Sequence, residues 1–588
     1  DAGRRSGPSR AKPQGPSQPP VRCGGACPPR GDAATRDCDT IRRKLADSAP
    51  PARAWLAANR ESAMTDTSPD SPVPAGRRNR GGGRAGKAAR RPGGVIAQMP
   101  WAPPVNTDRP TEPLDEAGIA AIHDAAMRIL EDVGIEFLND EARDLFRQAG
   151  ATVAGTNVRM GRDWVMEMIA RAPASFTLTP RNPDRQITMG GRNLLFGNVS
   201  SPPNYWDADV GKTPGTRAQC RDLLKLTQSF NCIHFAGGYP VEPVDLHPAT
   251  RHLDVLFDKL TLTDKVMHAY SLGSERVEDV MEMVRLAGGL SEEAFRATPR
   301  MYTNINSTSP LKHDWPMIDG CLRLIRRGQA VMVSPFTLAG AMAPVTMAGA
   351  VALSLAEALS AIALFQWVAP GCACGIGTFT SNVDMKSGAP AFGTPEYMRA
   401  TQMTGQMARF YGLPMRASGV CAANVPDGQA MWETAHSLWS AVQAGAHMVY
   451  HAAGWLEGGL IASPAKFVMD CEILQQIQRY FDPALTATGP DDLAVEAIAE
   501  VGPTGHFFGI DHTRARYTTA FYQPFLSDWR NHEAWTLDGA VWTADRAHRL
   551  WKEIVAGFEP PQMDAAHREA LADFVARRHA EGGAPTDF

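Results

Sequence analysis

Residues 414–454, PMRASGVCAANVPDGQAMWETAHSLWSAVQAGAHMVYHAAG, decide the fold. An apolar run, Pro414–Cys421, leads through a Pro/Asp/Gly turn into Gly428–Ala444, where apolar residues recur at helical spacing. Gly445 stops that helix, and a second apolar run, Ala446–Gly454, follows at once. The runs are nearly continuous rather than alternating, which is the pattern of parallel strands buried on both faces. This is one strand–helix–strand unit. Working upstream, further strand candidates appear at Leu194–Val199, Ile233–Tyr239, Lys265–Leu272, Arg300–Ser307, Ala330–Leu338 and Cys372–Thr380. Between them lie helical patterns at Arg217–Phe230, Ala249–Leu260, Ser274–Ala287, Trp315–Arg327, Ala348–Val368 and Pro395–Tyr411, and Ala465–Tyr480 closes the series. Eight strands alternating with eight helices, in units of roughly 30–40 residues, predict an α/β fold of the (β/α)8 TIM-barrel type. An open doubly wound sheet competes, but no GxGxxG or Walker motif follows any strand.

Outside the barrel, Glu116–Val133, Asp140–Ala149 and Asp163–Ala172 read as an N-terminal helical extension, and a C-terminal extension follows residue 480. Residues 1–63 mix Pro, Arg, Gly and Cys without hydrophobic period and read as a non-native, disordered leader ahead of Met64. Residues 64–110, with their basic Gly-rich run, read as a disordered tail. The remainder, 111–588, is taken as one barrel domain.

The 588 residues are 44% hydrophobic, enough for a large core, and carry a formal net charge of only -4. That balance gives no electrostatic case for nucleic acid. Ten cysteines form no CxxC pair, which fits a reducing cytoplasm. The sequence reading also finds no apolar run long and charge-free enough to span a bilayer.

In a barrel, reactive groups sit at the C-terminal ends of the strands. That rule selects Tyr239, Glu242, Tyr270, Asn304, Asn306, Phe336, Phe379, Asp384, Tyr450, His451, Trp455 and Glu457, with Gln429 at the head of a helix. The set is rich in aromatics. Ring faces beside a carboxylate hold a quaternary ammonium, which cannot donate hydrogen bonds. The same rings also serve as ordinary barrel packing. No GxSxG, HExxH or Walker lysine is present. His506, Asp511 and His512 form an HxxxxDH cluster, but it falls after the last strand and no metal is expected there.

Several stretches resemble the trimethylamine methyltransferase family. They are SPLKHD (309–314), PVTMAGAVALSLAEAL (344–359), SGAPAFGTPEY (387–397), RFYGLPMRASG (409–419), PDGQAMWE (426–433), QAGAHMVYHAAGWLEGGLIAS (443–463), KFVMDCEIL (466–474) and GHFFGIDHTRARY (505–517). The resemblance implies a barrel enzyme that takes a methyl group from a methylated amine. It passes that group to the Co(I) of a corrinoid, a cobalamin-type cofactor held by a separate small protein. A further methyltransferase then delivers it to a carrier such as tetrahydrofolate. Archaeal members carry pyrrolysine, whereas this chain has standard residues throughout, which resembles the members that use quaternary amines such as glycine betaine. A second departure is Leu355, where the family often has Asn before Ala-Glu.

On that reading Glu242, Asp384 and Glu457 are carboxylates near the cation, and Tyr239, Phe336, Phe379, Tyr450 and Trp455 form the cage. Asn304, Asn306, Gln429 and His451 orient the reacting groups. The catalytic set is therefore Glu242, Asp384, Gln429 and His451. The expected partners are a corrinoid protein and a methylated amine, with a homo-oligomer left open. The alternative is a metal-dependent TIM-barrel hydrolase that combines His451 with His506, Asp511 and His512.

Overall fold

The structure, a computed structural model, describes residues 96–270 and 272–585. The expected leader (1–63) and the tail as far as residue 95 lie outside the described residues. The tail boundary at 110 needs correcting. Ile96 is buried, Gln98 donates to the Ser229 carbonyl at 2.8 Å, and Asn106 donates to the Val442 carbonyl at 2.8 Å.

Eight parallel strands form the barrel: β1 (Leu195–Asn198), β2 (Phe235–Ala236), β3 (Val266–Met267), β4 (Tyr302–Ile305), β5 (Ala330–Val333), β6 (Cys374–Gly377), β7 (Met415–Ser418) and β8 (Met448–Ala453). Their order in the sheet is 3-2-1-8-7-6-5-4, and a parallel bridge between His268 and Tyr302 joins the two ends. Each strand thus lies beside its sequence neighbours, and the ring closes. The helices that follow the strands are α1 (Arg217–Ser229), α2 (Arg251–Leu262), α3 (Ser274–Ala287), α4 (Trp315–Arg326), α5 (Met347–Val368), α6 (Pro395–Tyr411), α7 (Gly428–Ala444) and α8 (Pro464–Tyr480). Their starts follow capping chemistry. Asp314, Thr394, Asp427 and Ser463 each accept a hydrogen bond from the first turn of the helix they precede.

The 22-residue α5 is apolar all round, and helices of that kind are buried. It packs against the N-terminal helices Glu116–Arg128 and Arg162–Ile169. This corrects the expectation that no run is long enough to cross a bilayer. By length and composition α5 is, but 89% of its most apolar window is enclosed by the protein. It is a core helix.

Two buried lysines tie the barrel together. Lys259 of α2 is fully buried and donates to the carbonyls of Gly237 and His268, at 2.6 and 3.0 Å, clamping the ends of β2 and β3. Burial pushes its ammonium down from 10.5 to about 7. Between those values the unfolded chain holds a proton that the folded chain releases, so rising pH favours the fold. The stability advantage of the native chain over Lys259→Met should therefore grow between pH 7 and pH 10, by about 1–4 kcal/mol. Urea midpoints across that range check it, and a flat or shrinking advantage would refute it.

Candidate active site

A cavity of about 380 Å³ opens at the C-terminal ends of the strands. Eight of its lining residues were expected there: Tyr270, Asn304, Asn306, Phe336, Phe379, Tyr450, His451 and Trp455. Local structure explains how the rings converge. Beyond β5 and β6 the chain continues as short strands, Phe336–Ala339 and Phe379–Val383, which pair in parallel with Phe336 opposite Phe379. Their ring centroids lie 5.0 Å apart, and Phe379 is 6.0 Å from Trp455.

Strand β8 supplies two consecutive lining residues, Tyr450 and His451. A regular strand would send them to opposite faces. Here the register with β1 shifts between Val449 and Ala453, and His451 adopts φ 54°, the left-handed region. A bulge of this kind re-aims a side chain, and strained backbone concentrates at functional sites. The His451 ring stacks on Trp455 at 4.2 Å.

Sequence reasoning missed the cavity's charge. Arg416 on β7 is 2% exposed, and its guanidinium lies 4.8 Å from the Tyr450 ring and 5.5 Å from the Phe379 ring. Its Nη1 donates to the Thr378 carbonyl at 3.3 Å, while Nε has no hydrogen-bond partner among the described residues. No described carboxylate pairs with it. Burial, opposed in part by Tyr450, Tyr397 and Tyr302, moves it down to about 10, so it stays cationic at neutral pH. His268, also missed, lines the same cavity. Burial, then the charge of Arg416, holds the His451 imidazole well below its usual range. Burial, then Lys259, does the same for His268. Both rings are therefore neutral near pH 7, leaving Arg416 as the one formal charge among the residues that line the cavity.

The remaining expected site residues lie elsewhere, each engaged locally. Asp384 accepts from the Ser387 hydroxyl at 2.6 Å in an exposed turn. Gln429 donates to Glu433 at 2.8 Å. Glu457 pairs with Lys212 at 2.5 Å. None of these three lines the cavity. Tyr239 and Glu242 line a neighbouring cavity, where Glu242 accepts from Arg251 at 2.6 Å. The expected carboxylates near the cation are thus absent from the lining, which is positive instead.

The set required by the alternative hydrolase does not assemble. His506, Asp511 and His512 form no group with His451 that brings ligand atoms together among the described residues. One other trio does meet, Asp207, Asp209 and His548, but Lys552 already pairs with Asp209.

The neutral imidazoles carry a pH prediction. Log kcat/KM for a reaction in this cavity should stay flat from about pH 6 to pH 8, where an ordinary histidine would titrate. Protonation at lower pH would put a second cation beside Arg416. A limb with apparent pKa near 6.5 in the pH–rate profile would contradict it.

A closed (β/α)8 barrel with aromatic walls and a buried charge at the strand C-termini defines an enzyme with a small-molecule site at its mouth. The sequence profile of the family described as trimethylamine methyltransferase matches residues 80–583, and the chain belongs to that family. It is 33% identical over 471 residues to a glycine betaine methyltransferase of Desulfitobacterium hafniense, covering 80% of this chain and 98% of that one. It is 28% identical to a trimethylamine methyltransferase of the same species (79% and 93% covered) and 27% identical to one from Methanosarcina mazei (79% and 95%). A solved monomethylamine methyltransferase from Methanosarcina barkeri aligns at 10% identity and TM-score 0.42, covering 80% and 96%. The chain is a methyltransferase.

Proposed function

We propose that this enzyme moves a methyl group from a quaternary ammonium carboxylate, a betaine, to the Co(I) of a corrinoid carried by a separate small protein. The observation that carries the reading is Arg416. A buried guanidinium with free donors and no protein carboxylate costs solvation free energy unless a ligand answers it. A substrate carboxylate does so, with charge-assisted and often forked hydrogen bonds. The ammonium end then meets Phe336, Phe379 and Trp455, whose ring faces attract a cation. The resulting pocket matches a zwitterion and repels a simple cation. The glycine betaine methyltransferase similarity points the same way.

The chemistry asks little of the side chains. Co(I) donates the electron pair that forms the new bond to carbon, and the carbon–nitrogen pair leaves with the nitrogen. The leaving group is a neutral tertiary amine that needs no proton. Neutral His268 and His451, and a lining without carboxylic acids, suit that step. The protein's task is to hold the methyl carbon in line and keep water out. Asn304, fixed by a 2.7 Å bond from Ser334, and Asn306 orient the substrate from β4. No disulfide joins the described cysteines, in keeping with a cytoplasmic enzyme.

The test mixes the protein with a Co(I) corrinoid protein and follows loss of Co(I) optically. Glycine betaine or a related betaine should react, and trimethylamine, choline and tetramethylammonium should not. Reaction with the simple cations but with no betaine would overturn the reading.

A further inference from the structure

The mouth cavity has a neighbour. A second cavity of about 290 Å³ lies between α2, α3 and the loops after β2 and β3. Ser201, Tyr270 and Leu272 line both cavities and form their common wall. The wall is close-fitting. The Tyr270 hydroxyl accepts from the Tyr239 backbone N–H at 3.0 Å and also contacts the Ser201 hydroxyl. A Cβ on Gly238 would stand 2.1 Å from that hydroxyl, so only glycine admits it.

The second cavity repeats the chemistry of the first with different residues. Tyr239 and Tyr270 meet edge to face, centroids 4.7 Å apart at 83°. Glu242 and Arg251 form an ion pair, which leaves Arg276 as the unbalanced charge. Arg276 donates to the Pro248 carbonyl at 3.1 Å and has no carboxylate partner among the described residues. Three buried nitrogens make no hydrogen bond among the described residues: Nε of Arg251, Nε of Arg276 and Nδ1 of His252. His252 is 5% exposed. Buried polar groups left without partners are uncommon and call for a ligand or water.

We propose that this cavity is a second binding site for a small zwitterionic amine, next to the reacting site. The carboxylate would sit on Arg276 and Arg251, and the ammonium against Tyr239, Tyr270 and Glu242. The proposal rests on the betaine reading above. It also gives that reading a kinetic feature. When a partner protein covers the barrel mouth, a betaine or its demethylated product has a place to stand on the other side of the Tyr270 wall. At about 290 Å³ the space falls at the small end of ligand pockets, which suits molecules of this size.

Equilibrium dialysis of radiolabelled glycine betaine against the full chain, without the corrinoid protein, tests it. The native chain should bind two per chain. Arg276→Gln should weaken one site by at least tenfold and leave the other, and Val280→Phe, which fills the cavity from α3, should do the same if the first variant fails to fold. Arg416→Gln should remove the complementary site. One betaine per chain, lost in Arg416→Gln and untouched in Arg276→Gln and Val280→Phe, would overturn the second site and leave the proposed function standing. No betaine bound to the native chain would instead remove the proposed function, and this inference with it.

Discussion

Arg416→Gln should lower kcat/KM for a betaine by on the order of 10²–10³-fold. Truncating one partner of a buried, hydrogen-bonded charge pair costs roughly 2–5 kcal/mol, and each 1.4 kcal/mol is a factor of ten. Glutamine keeps a donor but removes the charge that answers the carboxylate. Arg416→Lys should fall between the two, since it restores a point charge without the planar fork. Donors lacking a carboxylate should move the other way. Choline and tetramethylammonium meet a buried positive charge in the native cavity, and removing it lets the ring faces act alone. The betaine-to-choline preference should therefore collapse from both sides. Stability separates this from misfolding. Arg416 is 2% exposed without a counterion, so its loss should leave Tm unchanged or higher. Unaltered kcat/KM for every betaine tested, in a variant that folds normally, would show that the carboxylate is read elsewhere.

The strands were legible because burial on both faces leaves a plain signature, an unbroken apolar run ended by Gly or a polar turn. Every expected barrel strand contains an observed one. The mouth aromatics were legible too, because the strand-end rule needs only the strand boundaries. Arg416 was not found, although it lies in the stretch that decides the fold. In sequence it is a lone interruption of the run Pro414–Cys421, and the eye corrects for it. The signal was available: a charge inside a strand buried on both faces has to point into a site or find a partner. Asp384, Gln429 and Glu457 lie outside the cavity lining for the opposite reason. They lie near the right loops, but Ser387, Glu433 and Lys212 satisfy them locally, and sequence order cannot reveal those partners. Glu242 depends on how far the loop after β2 travels sideways, which no periodicity records. The bulge in β8 is equally silent, because nothing in HAAG announces a left-handed histidine.

Asp470→Ala should destabilise the protein by about 3–5 kcal/mol, the cost of leaving one member of a buried ion pair unpaired. Asp470 and Lys466, one turn apart on α8, are 1% and 0% exposed. They bond to each other, and each has a second anchor. Lys466 donates to the Thr434 hydroxyl of α7 at 2.8 Å, and Asp470 accepts from the Gly454 backbone N–H at 2.9 Å. That last bond reaches the proposed site. Gly454 has φ 95° and separates His451 from Trp455, so the carboxylate fixes the turn that stacks the two rings at 4.2 Å. The loss should therefore appear twice, as a lower urea midpoint and as a higher KM for the betaine in protein that remains folded. The double variant Lys466→Met/Asp470→Leu distinguishes the parts. Replacing both charges with apolar groups of similar volume removes the unpaired ion, so much of the stability should return. The Gly454 anchor stays missing, so the KM defect should persist. Recovery of stability and KM together would mean that packing alone shapes the turn, and that the pair serves only α7 and α8.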